Sequence, residues 1–257
     1  MSDHAFEPAP LKRSVLAGPQ TRTPPARLGV AVVVDLVAAI VTGELLPGDV
    51  LPPEGTLSQR FGVSRTVIRE SVKRVEEKGL VVVAQGRGTT VNPPSLWNVL
   101  DPVVLSALVD HDDTLGVLDE LTIVRGSLEA SMAAEAARQQ TPERVAELTQ
   151  LFEQTEHHLG DFDAYNDADA AFHYAVMEQS GIRLAANITR ILFARARESS
   201  RFTGHHGADA MAVTLEEHRS VLDAIARGDA DAAAAAMHDH IAKAWARRRP
   251  ADHAGNQ

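Results

Sequence analysis

The chain of 257 residues contains no cysteine. That absence excludes disulfides, thiolate metal sites and cysteine nucleophiles, so any metal site must use His, Asp or Glu. Long apolar runs are missing as well. Crossing a bilayer takes about 18–20 apolar residues in a row, and the nearest approach, VAVVVDLVAAIV at 30–41, is interrupted by Asp35. The N-terminus shows no basic-then-apolar signal pattern, which reads as a soluble, cytoplasmic protein with no membrane partner. Proline almost vanishes after Asp101, and no internal repeat is visible.

What is present divides in two. The length allows two modest domains or one large one. Net charge is −10, yet residues 1–93 carry eleven Lys/Arg against nine Asp/Glu, and the remainder fourteen against twenty-six. A polyanion partner would therefore meet the first part, because phosphate contact is electrostatically driven.

Residues 1–26 are rich in Pro, Ala, Ser and Thr without hydrophobic period, and read as a disordered tail. A helix is expected from about Arg27 to Thr42, then a turn-rich link, LLPGDVLPP (45–53). A short helix, EGTLSQRF, leads through GVS to a longer one, RTVIRESVKRVEEKG, which Ser64 is placed to cap. The β-branched runs LVVVAQ and TTVN, joined by GRG, predict a small hairpin. Two prolines in NPPS close this first domain, 27–92. A linker at 93–100 follows. Helical patterns then run at about 101–109, 114–139, 142–159, 161–179, 183–202, 208–227 and 230–248, with a short disordered tail at 250–257. The predicted fold is mainly α: a winged helix-turn-helix with a small β-hairpin wing, followed by an all-helical bundle of six to seven helices at 101–249.

On the longer N-terminal helix, Ile68, Val72 and Val75 form an i, i+4, i+7 apolar stripe able to pack inward. Arg65, Arg69 and Lys73 form a second stripe beginning at the helix N-terminus. A recognition helix offers its first turns to the major groove, so Arg65, Thr66 and Arg69 are candidate base or phosphate contacts, with Lys73 beside them. Arg87, at the hairpin tip between two glycines, can reach a neighbouring backbone or minor groove. Residues 60–87 hold seven basic and three acidic residues. The plainer alternative is a small helical domain with a solvated basic face.

Residues 43–91, GELLPGDVLPPEGTLSQRFGVSRTVIRESVKRVEEKGLVVVAQGRGTTV, resemble the N-terminal domain of GntR-family bacterial transcription regulators. The likeness lies in the G-x-L-x-P-G-x-x-L-P segment, then V-S-R-T-x-V-R-E, a leucine-containing helix end, and G-x-G-T-x-V. It implies binding to a two-fold symmetric double-stranded DNA operator. One position departs. The family usually has an arginine after the glutamate of the LPSE segment, and here Gly55 stands there.

In the second part, Asp169 and His173 lie four apart and share a helix face, a spacing able to chelate a divalent ion. Asp167 points to the other side. His218 sits within an apolar stripe with Leu215, Leu222 and Ile225, and His240 within another with Ala233, Met237 and Ala244. Two inward histidines beside an Asp/His pair suggest either a shared metal site or satisfied core residues. Arg125 interrupts the stripe Leu118, Leu121, Leu128, Met132. A buried guanidinium needs an anion, either an internal one such as Glu129 or the carboxylate of a ligand.

The segments VRGSLE, DAAFH and EHRSVLDAIARGDADAAAAAMHDHI are similar to the FCD ligand-binding domain of the FadR subgroup of GntR regulators. That resemblance implies a divalent metal held by Asp169, His173, His218 and His240, zinc first, with nickel or manganese also suited to such ligands. It also implies a small organic acid effector received by the metal and Arg125. Asn187 and Arg195, on a helix expected to line the same cavity, are expected as further effector contacts. SLWNVLDPVVLSAL (95–108) resembles the linker of subgroup members that answer to sugar acids such as galactonate. The expected function is a homodimeric regulator, a repressor, and not an enzyme. The two alternatives are a metal-dependent enzyme with a helical His/Asp site and a DNA-binding protein whose second domain only dimerises.

Overall fold

The computed structural model describes residues 25–84, 86, 88–199 and 208–249. The expected tails therefore lie outside the described residues, apart from Pro25 and Ala26, which open the first helix. Helix α1 (Pro25–Val41) begins on a proline, which suits a first helical position. It buries Val32, Val33, Leu36, Val37 and Ile40 and leaves Asp35 in solvent, so the charge in the apolar run marks the wet face. Each such buried aliphatic side chain contributes about 1.5–3 kcal/mol. Helix α2 (Glu54–Phe61) ends on Gly62 in the left-handed conformation. Helix α3 (Arg65–Glu77) starts from Ser64, whose hydroxyl accepts from the Val67 amide at 3.3 Å. Its apolar stripe, Ile68, Val72 and Val75, is buried as the spacing predicts.

Strands β1 (Val81–Ala84) and β2 (Gly88–Val91) pair antiparallel, Val81 opposite Val91 and Ala84 opposite Gly88. The 45–53 link pairs along the free edge of β2, with the Leu51 amide donating to the Thr89 carbonyl at 2.8 Å. This is a winged helix-turn-helix.

The 93–100 segment is held onto this domain. It contains a 3-10 turn at Pro94–Leu96, the Trp97 ring packs on the first core, and its Nε1 donates to the Asn92 carbonyl at 3.1 Å. Gly79, at φ +79°, admits the segment, because a Cβ there would run into the Leu96 carbonyl oxygen.

Among the described residues seven further helices follow: α4 (Pro102–Asp110), α5 (Gly116–Arg138), α6 (Pro142–His157), α7 (Phe162–Gln179), α8 (Arg183–Glu198), α9 (Ala208–Ala226) and α10 (Ala230–Arg248). Helix α8 stops at Glu198, short of the expected 202. The bundle centres on α5, which packs against α7, α8, α9 and α10. The sequence boundary at 101 does not separate two cores. Helix α4 places Val104 and Ala107 in the core of the winged domain and Leu105 and Val109 in that of the bundle. Asp101 caps α4 and also pairs with Lys78 at the end of α3. Among the described residues no helix is long and apolar enough to cross a membrane.

Candidate metal centre and DNA-reading helix

On α3 the side chains of Arg65, Thr66, Arg69 and Lys73 are all exposed, as a DNA-reading face requires. Arg69 is engaged by Glu54 of α2, its Nε and Nη2 donating to the two carboxylate oxygens at 3.0 and 2.9 Å. The Arg65 guanidinium lies over Gly55, whose missing side chain leaves that space open. Arg87 lies outside the described residues.

In the bundle, one turn of α7 places Asp169 and His173 on its buried face, α9 contributes His218 and α10 His240. The three Nε2 atoms converge: His173 to His240 at 3.2 Å, His218 to His173 at 3.3 Å, and His218 to His240 at 3.1 Å. An ion bonded to nitrogen at about 2.0–2.1 Å holds pairs of ligand nitrogens about 2.9–3.4 Å apart, between octahedral and tetrahedral angles. The triangle matches that range, so the cluster can hold a divalent ion. Asp169 Oδ1 lies 3.6 Å from His218 Nε2 and is buried without a hydrogen-bond partner, an orphaned acceptor that a cation would satisfy. Asp167, by contrast, is in solvent and pairs with Arg197 at 2.7 Å.

The electrostatics favour the ligand forms. Burial, with His240 next in weight, holds His218 well below the usual histidine range, and burial likewise lowers His240. Neutral imidazoles are the form that binds metal. For Asp169 burial acts to raise the pKa, but His218, His173 and Arg248 outweigh it and keep the carboxyl below its usual range.

Two carboxylates stand behind the rings. Glu129 Oε2 is 2.6 Å from His173 Nδ1, and its Oε1 accepts from Arg125 Nε at 2.6 Å. Burial would raise its pKa, yet Arg125 and His173 hold it at about 2. Glu217 Oε2 is 3.0 Å from His240 Nδ1, and Arg247 grips both its oxygens at 2.7 Å. There, too, burial is outweighed, by His240 and Arg247, to about 2.

Arg125 is thus paired internally with Glu129, the first of the two expected partners, and its guanidinium also lies 3.8 Å from the Phe193 ring centroid. It faces a cavity of about 10 Å³ shared with Thr122, Asp169, His173, His240 and Arg248, room for about one water. Asn187 and Arg195 do not line it. Asn187 sits on the exposed face of α8, and Arg195 points to Asp110 and Glu198 at 2.6 and 3.0 Å. The cavity wall from α8 is Phe193, on the opposite side of that helix.

Three residues escaped the sequence reading. Glu129 was visible only as a partner for Arg125, not as a bond to His173 across two helices. Glu217 adjoins His218, and nothing local tells that it reaches His240. Arg248 lies four beyond Ala244 and eight beyond His240, extending that inward stripe, but the run of three arginines disguises it as an exposed helix end.

Comparison with known proteins matches residues 28–91 to the family of bacterial regulatory proteins named gntR, and residues 120–243 to the FCD domain. The galactonate operon transcriptional repressor of Escherichia coli K12 is 30% identical over 216 residues, 84% of this chain and 94% of that protein. The regulator LutR of Bacillus subtilis is 28% identical, covering 79% and 92%. A putative L-lactate dehydrogenase operon regulatory protein of E. coli K12 is 30% identical, covering 81% and 82%. Among solved structures, Lar of Listeria monocytogenes superimposes with a TM-score of 0.54 at 18% identity, over 86% of this chain and 96% of that one, a likeness of fold alone. The matched domains and relatives are transcriptional regulators and not enzymes. With both domains matched in chain order and a 30%-identical regulator covered over nearly all of its length, the chain is a DNA-binding transcriptional regulator of the GntR family, with an FCD domain as its second part.

Proposed function

We propose that this regulator is a homodimeric repressor whose FCD domain holds a divalent metal, zinc first, and releases DNA on binding a small hydroxy acid. The observation that carries it is the convergence of three imidazole nitrogens within 3.1–3.3 Å, beside the orphaned Asp169 oxygen and in one cavity with Arg125. Asp169, His173, His218 and His240 are the metal ligands. The metal supplies a Lewis-acidic point for a carboxylate, and Arg125 offers the guanidinium that pairs with such a group. Arg248, facing the same cavity, supplies a second cation. Relatives named for a galactonate operon and for an L-lactate dehydrogenase operon point to acids carrying a hydroxyl beside the carboxylate.

The cavity admits about one water, so an acid enters only by moving its walls. On α8, Phe193 is a wall and Arg195, two residues on, holds Asp110 at the end of α4. Displacing α8 therefore pulls on the helix that the winged domain shares, and shifts the two reading helices of a dimer relative to each other. On DNA, Arg65, Thr66 and Arg69 read bases or backbone, and Lys73 and Arg87 add phosphate contacts.

The test is selection of bound fragments from a random DNA library, followed by mobility shifts. The selected sites are expected to be two-fold symmetric, and Arg65→Ala and Arg69→Ala each cost about 1–3 kcal/mol in operator binding. With zinc present, D-galactonate or L-lactate releases the wild-type complex but not that of Arg125→Ala. Normal operator binding by both arginine variants, or release that ignores zinc and Arg125 alike, would refute the reading.

A further inference from the structure

The two carboxylates behind the imidazoles repeat one motif on unrelated parts of the bundle. Arg125 on α5 holds Glu129 on α5, which meets His173 on α7. Arg247 on α10 holds Glu217 on α9, which meets His240 on α10. In each case an arginine engages the carboxylate, and the carboxylate meets Nδ1, the ring nitrogen turned away from the other imidazoles.

We propose that Glu129 and Glu217 are positioning residues: each accepts a hydrogen bond from the Nδ1–H of one imidazole, fixing its tautomer so that Nε2 carries a lone pair facing the shared point. The inference rests on the metal reading above but concerns two residues that reading leaves unused. An arginine-bound carboxylate is ionised and only accepts, so the nitrogen 2.6 or 3.0 Å from it must be the donor. A neutral imidazole has one N–H, which leaves Nε2 free as the metal-binding nitrogen. Both Glu129 oxygens are engaged and the residue is 1% exposed, so it cannot swing forward and become a ligand itself. His218 is held differently. Its Nδ1 has no hydrogen-bond partner, and its ring stacks on Phe172 with centroids 4.8 Å apart. Two rings are thus aimed by charge and the third by stacking.

The experiment uses the full chain and zinc alone. Zinc affinity is measured by competition with a chromophoric chelator, and imidazole tautomers by long-range nitrogen–proton NMR, for wild type and for Glu129→Ala, Glu129→Gln, Glu217→Ala and Glu217→Gln. Melting in chelator reports whether each metal-free variant is folded. The alanine variants are expected to bind zinc about 10–100-fold more weakly, as loss of an outer hydrogen-bond partner does elsewhere. Glutamine keeps a carbonyl acceptor at the same place, so it restores part of that loss, and the tautomer measured by NMR, which a merely structural role would not move, separates aiming from packing. Wild-type His173 and His240 are expected to carry their protons on Nδ1. Zinc binding within twofold of wild type in all four variants, or protons found on Nε2, overturns the proposal. Should Glu129→Ala fail to fold, the more exposed Glu217 pair decides. A wild type that takes up no zinc would remove the metal reading, and the tautomers in the metal-free protein would still decide whether these carboxylates aim the rings.

Discussion

A buried imidazole whose opposing charge, Asp169, sits on another helix links the fold to pH. His218 is faced by His173 and Asp169 of α7 and by His240 and Arg248 of α10. Burial and the neighbouring imidazoles hold it uncharged in the folded protein, and Asp169 opposes them without prevailing. The unfolded chain takes up this proton near pH 6.5, the folded chain only at lower pH. Between those two points the unfolded state binds more protons, so stability falls as pH drops below about 6.5, by up to about 1.4 kcal/mol per pH unit for each such group. Glu129 and Glu217 add a second loss lower down: their contribution is complete above about 4.5 and disappears as pH falls toward 2. Melting temperature in chelator, followed from pH 8 to 5, is expected to fall below 6.5 in the wild type and less steeply in His218→Phe. Equal slopes would place the titration elsewhere. At this scale the sequence was partly legible. Asp169 and His173 announce themselves because i, i+4 spacing is a property of one helix. Glu217 does not, because its bond to His240 exists only once α9 and α10 pack.

At the scale of elements, the ten helices among the described residues lie within a few positions of their expected bounds, because all but the short α2, which buries Leu57 alone, carry a buried stripe of their own. What it could not supply is which face meets which neighbour. Asn187 and Arg195 illustrate this, since α8 turns Phe193 rather than either of them toward the cavity. The face of α8 that carries Asn187 also exposes Leu184 at 74%, with Ile191 further along, and neighbouring α5 exposes Ile123 at 67% and Val124. Large apolar side chains set in solvent on two adjoining helices suit a self-complementary contact between two copies. Sedimentation of Ile123→Asp and Leu184→Asp is expected to show monomers with the wild-type helical content. A dimer that survives both substitutions would put the partner on another face.

At the scale of the molecule, α4 belongs to both cores. Removing it strips Val104 and Ala107 from the core of the winged domain and leaves α1, against which α4 packs, with less cover. A fragment ending at residue 92 is therefore expected to lack a cooperative thermal transition, while one ending at 110 retains it. Calorimetry of the two decides, and a sharp transition in the shorter piece would show that the first core closes without α4. The proline pair at 93–94 hid this from the sequence, since a composition break reads as a domain end even where the next helix packs backward. The shared helix also limits how such a regulator can be recombined. A sensor grafted onto a foreign reading head at the prolines would bring an α4 whose winged-domain face was shaped for someone else's side chains. The exchangeable module is the reading head together with α4, and the constraint on any successful graft falls on Leu105, Val109 and Asp110, the residues that α4 turns toward the sensor.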